Sequence, residues 1–278
     1  MTTNHAEFHS RYGPWAVVAG ASEGLGAAYA RQLAARGLNL VLIARRNELL
    51  QALSAQLIQD HGVQVQVCAL DLSSSAAAQV VDQVTANVDV GLLIYNAAFS
   101  AVGPFLDHPL EDHLREVDTN IRTPMVLMDR FGRRLLDRGR GGLILMSSLS
   151  AFQGSAFISN YSATKAFNMV LAEGLWEEWR ARGVDVLACI AGATNTPNYR
   201  ASSPSPTGRF SDATLEPEAV VLEALQAIGR QPQIIPGRSN RMSSFIMRHL
   251  LPRRAAVQFM GRVLRDMYVD PVRLSRMT

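Results

Sequence analysis

Short apolar runs rich in β-branched residues alternate with longer amphipathic stretches from one end of the chain to the other. WAVVAG (15–20), LNLVLIA (38–44), VQVQVCAL (63–70), VGLLIYNA (90–97), GLILMSS (142–148), VDVLACIAG (184–192) and PQIIP (232–236) predict seven strands. Helical periodicity fills the intervals near 24–36, 46–61, 75–87, 109–138, 157–181 and 215–229. Strands that read as continuous apolar runs are covered on both faces. The pattern therefore predicts an α/β fold: a doubly wound, Rossmann-like, seven-stranded parallel sheet with helices on both sides. Residues 1–13 read as a polar lead-in, and 193–214, with the loop-like ASSPSPTGRFSDAT at 201–214, as a lid over a substrate. Residues 238–278 read as a helical extension rich in arginine.

Composition fits one domain with a sizeable core: 278 residues, 48% hydrophobic and 18% charged. The first dozen residues are polar and no apolar run reaches eighteen, so the expectation is a cytoplasmic protein without a signal peptide or membrane span. Cys68 and Cys189 sit inside strand-like runs and read as buried, reduced thiols. The net charge of +3 is uneven. Residues 238–278 carry nine arginines and two acids, leaving the first 237 residues at −4. Basicity confined to a tail argues against nucleic acid as a partner. His108 and His113 are five apart, off the spacing that puts two ligands on one helical face, and predict no metal site.

Candidate chemistry begins after the first strand. In GASEGLG, Gly20, Gly24 and Gly26 allow a tight turn, close approach of a pyrophosphate and an exposed helix N-terminus that favours an anion. At the end of the second strand stand Arg45 and Arg46, where a site for NAD would offer an acid, and guanidinium there favours the 2′-phosphate of NADP(H). Glu23 weakens that preference if it faces the phosphate. Asp71 follows the third strand, placed either to hold an adenine amino group or to cap the next helix, and YNAA at 95–98 ends the fourth with residues small enough to admit a ligand.

Of 27 basic residues only Lys165 is lysine, and it lies four residues after Tyr161, on the same face of the predicted helix. A phenol titrates near ~10, and a nearby cation lowers that value. An ammonium also has three rotatable donors, where guanidinium presents a rigid fork. Ser148 closes the preceding strand, and Asn120 sits in a helical stretch it does not favour, as though its side chain has local work.

These residues resemble the "classical" short-chain dehydrogenase/reductase family over about residues 14–200. Gly20, Gly24 and Gly26 match its glycine motif, Asn96 and Ala97 its Asn-Ala-Gly motif with Ala98 for Gly, and Asn120, Ser148, Tyr161 and Lys165 its catalytic tetrad. YGPWAVVAGASEGLGAAYARQLAARGLNLVLIARR is most similar to the branch of 3-ketoacyl-CoA reductases and 17β-hydroxysteroid dehydrogenase type 12. The resemblance implies a nicotinamide cofactor, NADP(H) rather than NAD(H), along Gly20, Ser22, Glu23, Gly24, Leu25, Gly26, Arg45, Asp71, Leu72, Asn96, Ala97, Ala98, Tyr161, Lys165, Gly192, Thr194 and Thr196. It implies Tyr161 as acid/base, Ser148 polarising the substrate oxygen, Lys165 on the ribose and Asn120 anchoring a water, and a dimer or tetramer built on 109–138 and 157–181. Ala19 and Ala191 depart from the family's usual Thr and Pro and bear on loop rigidity.

Phe99, Phe105, Phe152, Phe157 and Tyr199 in the loops suggest an apolar pocket for a lipophilic carbonyl, a 3-oxoacyl thioester or a steroid-like ketone. In the tail, Val257, Met260, Val263, Leu264 and Met267 share one helical face, with Arg254, Gln258, Arg262 and Arg265 on another. Such a helix caps the cleft or a subunit contact, docks on a membrane surface, or meets the phosphates of an acyl carrier or CoA. The expected activity is NADP(H)-dependent interconversion of a ketone and a secondary alcohol. The alternative is a catalytically silent nucleotide-binding sensor or scaffold.

Overall fold

The computed structural model describes residues 5–201 and 214–268. Seven strands, β1 (Trp15–Ala19), β2 (Asn39–Ala44), β3 (Val65–Ala69), β4 (Val90–Tyr95), β5 (Gly141–Ser148), β6 (Val184–Ala191) and β7 (Gln233–Ile234), form one sheet in the order β3-β2-β1-β4-β5-β6-β7. Every pairing is parallel. The helices are α1 (His5–Tyr12), α2 (Gly24–Ala34), α3 (Asn47–His61), α4 (Ala77–Val84), α5 (Leu110–Val117), α6 (Thr123–Arg138), α7 (Ser159–Trp179), α8 (Pro197–Ala201), α9 (Pro217–Ala227), α10 (Arg238–Phe245) and α11 (Arg253–Tyr268). Part of the expected lid, 202–213, and the last ten residues of the basic extension lie outside the described residues.

Alternation along the strands divides the core into two layers. Ala16, Val18, Leu40, Leu42, Ile144 and Leu187 face Tyr29 and Leu33 of α2, Leu50 and Leu57 of α3 and Val221 of α9. Val17, Val41, Ile43, Leu93, Leu143 and Val186 face Val81 of α4, Phe131 and Leu135 of α6 and Ala172 of α7. Both faces being covered, the strands are apolar throughout. The order turns back between β1 and β4, and the crevice that opens beyond the carboxyl ends there is the usual ligand position of such sheets.

The polar lead-in is a helix. Phe8 and Tyr12, four apart in α1, are buried in the first core layer, and Tyr12 Oη donates to Asp185 Oδ2 at 2.7 Å while Arg11 Nη2 donates to Oδ1 at 2.8 Å. The long helix predicted over 109–138 is broken by a π-helical turn, Asp118–Arg122. Pro124 has no N–H to offer the carbonyl of Asn120, four residues earlier, so the regular ladder cannot pass this point. Trp179, within the 157–181 stretch expected to build an oligomer, packs within the chain on Gly132 of α6.

Candidate active site

A cleft of about 710 Å³ opens at the carboxyl ends of the strands. It gathers Gly20, Ser22, Glu23, Gly24 and Leu25 after β1, Arg45 after β2, Asp71 and Leu72 after β3, Asn96, Ala97 and Ala98 after β4, Ser148 at the end of β5, Tyr161 and Lys165 of α7, and Gly192, Thr194 and Thr196 after β6. Two of the expected site residues, Gly26 and Asn120, do not line it. Gly26 lies behind the turn, where a Cβ would fall 1.9 Å from the Gly20 carbonyl oxygen, so its smallness lets α2 close on β1.

Gly20 takes a left-handed conformation (φ 83°) and leaves no room for a side chain against Ala97 N at 2.6 Å. Asn96 Nδ2 donates to the Gly20 carbonyl at 2.9 Å, tying the glycine turn to β4. No side chain caps the N-terminus of α2, and its first turn carries no acid. Free N–H groups pointing into a cleft suit a pyrophosphate, and the residues present fit a dinucleotide. Thr196 closes over Gly24, where a Cβ would meet its Cγ2 at 2.9 Å.

Glu23 is neutralised within the turn. Its Oε1 meets Arg46 Nη2 at 2.7 Å, and the same guanidinium donates to Ser22 Oγ at 3.2 Å. Arg45, exposed on the cleft wall, forms no salt bridge among the described residues. Asp71 makes a local turn on Ser73 and does not cap α4, whose N-cap residue is Ala76 with no side-chain cap: Oδ1 accepts from Ser73 N at 2.9 Å and Ser73 Oγ at 2.8 Å, while Oδ2 faces Arg115 at 3.4 Å. Burial pushes its carboxyl up, but these bonds and the charges of Arg115 and Arg45 outweigh it and hold it below its ordinary range.

Tyr161 and Lys165 stand one turn apart, with the ammonium 5.5 Å from the ring centroid. Lys165 is buried; Nζ donates to the Met146 carbonyl at 3.0 Å, and Ser147 Oγ donates to the Lys165 carbonyl at 2.8 Å, pinning α7 to β5. Burial lowers the ammonium to about 8, opposed by Glu116. Burial likewise raises the Tyr161 phenol to about 12, reinforced by Glu116 and Tyr268 and opposed by a hydrogen bond with Ser148. The expected lowering of the phenol by its neighbour is thus reversed, because desolvation of both groups dominates. Asn120 is fully buried with its side chain committed: Oδ1 accepts from Phe99 N at 2.9 Å, and Nδ2 donates to the Phe99 carbonyl at 2.9 Å and Thr164 Oγ1 at 3.0 Å. Both amide protons are spent on protein, so its side chain has no donor left for a water.

The C-terminal helix closes the far wall. Phe259, Met260, Val263, Leu264, Met267 and Tyr268 of α11 line the cleft, while Arg254, Gln258, Arg262 and Arg265 face outward. Arg253 donates to the Phe152 carbonyl, and the Arg248 guanidinium lies 4.2 Å over the Phe152 ring, seating the helix on the 149–158 segment. Among the described residues no helix is long and apolar enough to cross a membrane, and no cluster of side chains could hold a metal.

The short chain dehydrogenase family model matches residues 14–206. The chain belongs to this family. It is 31% identical over 258 residues to a 7β-hydroxysteroid dehydrogenase of Collinsella aerofaciens, covering 92% of this chain and 98% of the relative. It is 30% identical to a very-long-chain 3-oxoacyl-CoA reductase of Anas platyrhynchos, covering 80% and 70%. A solved short-chain dehydrogenase from Sphingobium yanoikuyae in complex with NADPH superposes with a TM-score of 0.74 at 29% identity, covering 84% of this chain and 92% of that one.

This short-chain dehydrogenase compensates its departures with backbone. Ala19, lacking a hydroxyl, offers its carbonyl to Asn96 N and Ala97 N, and Gly20 N and Ala21 N both donate to the Ile43 carbonyl. After Ala191, Asn240 packs on Gly192 and Thr194 Oγ1 donates to the Gly192 carbonyl at 3.0 Å. Sequence reasoning missed two groups. Asn240, Ser243 and Met247 reach the cleft from α10 and the turn after it, with no motif to mark them. Glu116, fully buried behind Tyr161, carries no such signal, because the leucines of its helix, Leu110 and Leu114, are the exposed ones.

Proposed function

We propose that this short-chain dehydrogenase is an NADP(H)-dependent oxidoreductase that interconverts a ketone and a secondary alcohol on a steroid-sized lipophilic substrate. The observation that carries the reading is the meeting of Ser148, Tyr161 and Lys165 on one cleft whose opposite wall is the apolar face of α11. The nicotinamide, when bound, supplies or accepts the hydride. Ser148 Oγ holds and polarises the substrate oxygen, and Tyr161 gives its proton to that oxygen in reduction and takes it back in oxidation. A phenol held at about 12 keeps its proton at neutral pH. Lys165 holds the ribose and stabilises the phenolate as it forms. Asn120 fixes the Phe99 backbone and Thr164, and with them the cleft's edge.

Arg45 is the group placed for a 2′-phosphate, with Arg46 occupied by Glu23. The hydroxysteroid dehydrogenase relative, aligned over nearly the whole chain, supports a steroid, and the acyl reductase relative makes a 3-oxoacyl thioester the second substrate to assay. Exposed Met242, Phe245 and Leu250 beside Arg248 give a surface for peripheral contact with anionic lipid, which co-sedimentation with vesicles tests. The deciding experiment follows NADPH consumption with a 7-oxo steroid and with a long-chain 3-oxoacyl-CoA. Turnover of either that is lost in Tyr161→Phe sustains the reading. Tight NADPH binding with no turnover of any ketone would replace it by the silent-scaffold reading.

A further inference from the structure

Among the described residues two carboxylates are buried, and their surroundings differ. Asp185, at the start of β6 and so at the opposite end of the sheet from the cleft, is matched by Arg11 and Tyr12. Glu116 has no such cation. It lies in the last turn of α5 with no exposed surface and no salt-bridge partner among the described residues, and Oε2 accepts from Asn160 Nδ2 at 2.7 Å. A buried carboxylate is costly unless it is paired and hydrogen-bonded, and one without a salt bridge calls for an account.

The position is specific. Asn160 immediately precedes Tyr161 in α7, and its Nδ2 also donates to the His113 carbonyl at 3.1 Å, so one amide ties α5 to the turn that carries Tyr161 and Lys165. Glu116 does not line the cleft. It reaches the site from behind, where substrate and solvent do not compete for it. The titratable groups that face it are His113 of its own helix, three residues away, and Tyr161 and Lys165 of α7. His108 packs edge-on to His113, and Tyr268 of α11 faces Tyr161 from the cleft side.

Resting on the reading of the cleft as a carbonyl reductase, we propose that Glu116 is a positioning residue whose buried carboxylate, held by Asn160, sets the proton affinity of Lys165 and Tyr161 together and biases the site toward proton donation. A negative charge behind the pair holds the ammonium charged and the phenol protonated, the state from which a ketone is reduced. Burial pushes Glu116 itself up to about 7, partly offset by the Asn160 bond, His113, the Ala101 backbone N–H and Lys165, so its titration couples to that of Lys165.

Lys165 is the only lysine, so the full-length chain labelled with ¹³Cε-lysine gives a self-assigned NMR signal. Titrated from pH 5 to 10 with no substrate, the wild-type signal is expected to report two coupled steps, that of Glu116 and that of Lys165. Glu116→Gln should leave one step, moved down by roughly one pH unit. Glu116→Asp, which keeps the charge, should stay near wild type. A single-step wild-type curve, an unmoved Glu116→Gln, or an equal shift in Glu116→Asp each overturns the proposal, and the wild-type curve decides even where the Gln variant does not fold. A kinetic arm uses the 7-oxo steroid and NADPH: the alkaline limb of reduction should move down by a similar amount in Glu116→Gln, and an unmoved limb in a turning-over enzyme counts against the proposal. Lack of steroid turnover in wild type would instead indict the functional reading, while the titration still judges the charge coupling.

Discussion

Arg46 Nη2 stands 2.7 Å from Glu23 Oε1, so the only acid in the glycine turn is answered by the second of the two arginines after β2. The first, Arg45, stays on the cleft wall with its guanidinium available to a phosphate. Arg45→Ala is expected to weaken NADPH binding about ten- to a hundredfold, the loss of about 1.5–3 kcal/mol for a charged hydrogen bond, with NADH affinity little changed. Arg46→Ala frees the Glu23 carboxylate and should penalise NADPH as well. Parallel calorimetric titrations with both nucleotides check this, and equal losses for NADPH and NADH would show that Arg45 does not read the 2′-phosphate.

Tyr161→Phe keeps the ring and removes the proton that the proposed reaction needs. NADPH should bind as in wild type while turnover falls by roughly 10²–10⁴. Lys165→Arg tests the neighbour: a rigid guanidinium fork does not reproduce the compact ammonium bonded to the Met146 carbonyl at 3.0 Å, so both cofactor affinity and turnover should drop. Single-turnover assays beside fluorescence titration separate the two effects.

Much of the fold and the site is legible in the amino-acid sequence. The strand–helix alternation fixes the parallel sheet because two-face burial forces apolar strands, and a lone lysine four residues after a tyrosine marks the site because helical spacing puts both on one face. What escapes a sequence reading has physical reasons. The lead-in hides a helix whose buried side chains are two aromatics, Phe8 and Tyr12, in an otherwise polar stretch. The break at Asp118–Arg122 is written in Pro124, but apolar periodicity runs through it and masks the missing donor. Arg45 and Arg46 cannot be told apart from sequence, because which one meets Glu23 depends on how the turn folds. The position of α11 over the cleft depends on long-range contacts to Phe152 that leave no local signal.

Asn120 commits its side chain to Phe99 and Thr164, and its loss should register in stability. Asn120→Ala removes the side-chain partner of Phe99 N and of the Phe99 carbonyl, while Thr164 Oγ1 keeps its bond to the Tyr161 carbonyl, a cost of about 2–4 kcal/mol. Urea unfolding should show that loss, with a smaller fall in NADPH affinity than in stability. Loss of turnover at unchanged stability would move Asn120 into the chemistry.

The folded-state pKa of Glu116 lies above its ordinary value, so folding takes up protons there. That contribution is complete below about 4.5 and disappears as pH rises through about 7. Glu116→Gln cannot ionise. Relative to wild type it should therefore gain stability between pH 5 and pH 8, by an amount on the order of 2–3 kcal/mol. Denaturant midpoints of both proteins at the two pH values test this, and parallel curves would show that Glu116 does not titrate in this window.

Leu264, buried in α11, faces the cleft from the side opposite Tyr161, with Met260 and Met267 beside it on the same helical face. A substrate enclosed there exchanges water for this apolar wall, whereas the nucleotide end of the cleft lies against the glycine turn and Arg45. Leu264→Ala should therefore raise KM for a steroid ketone about tenfold, the loss of roughly 1.5 kcal/mol of apolar contact, while NADPH affinity stays within twofold. The two quantities separate the possible roles of the helix. A fall confined to KM marks α11 as a wall of the substrate site, and an equal fall in NADPH affinity would make it a brace for the whole cleft.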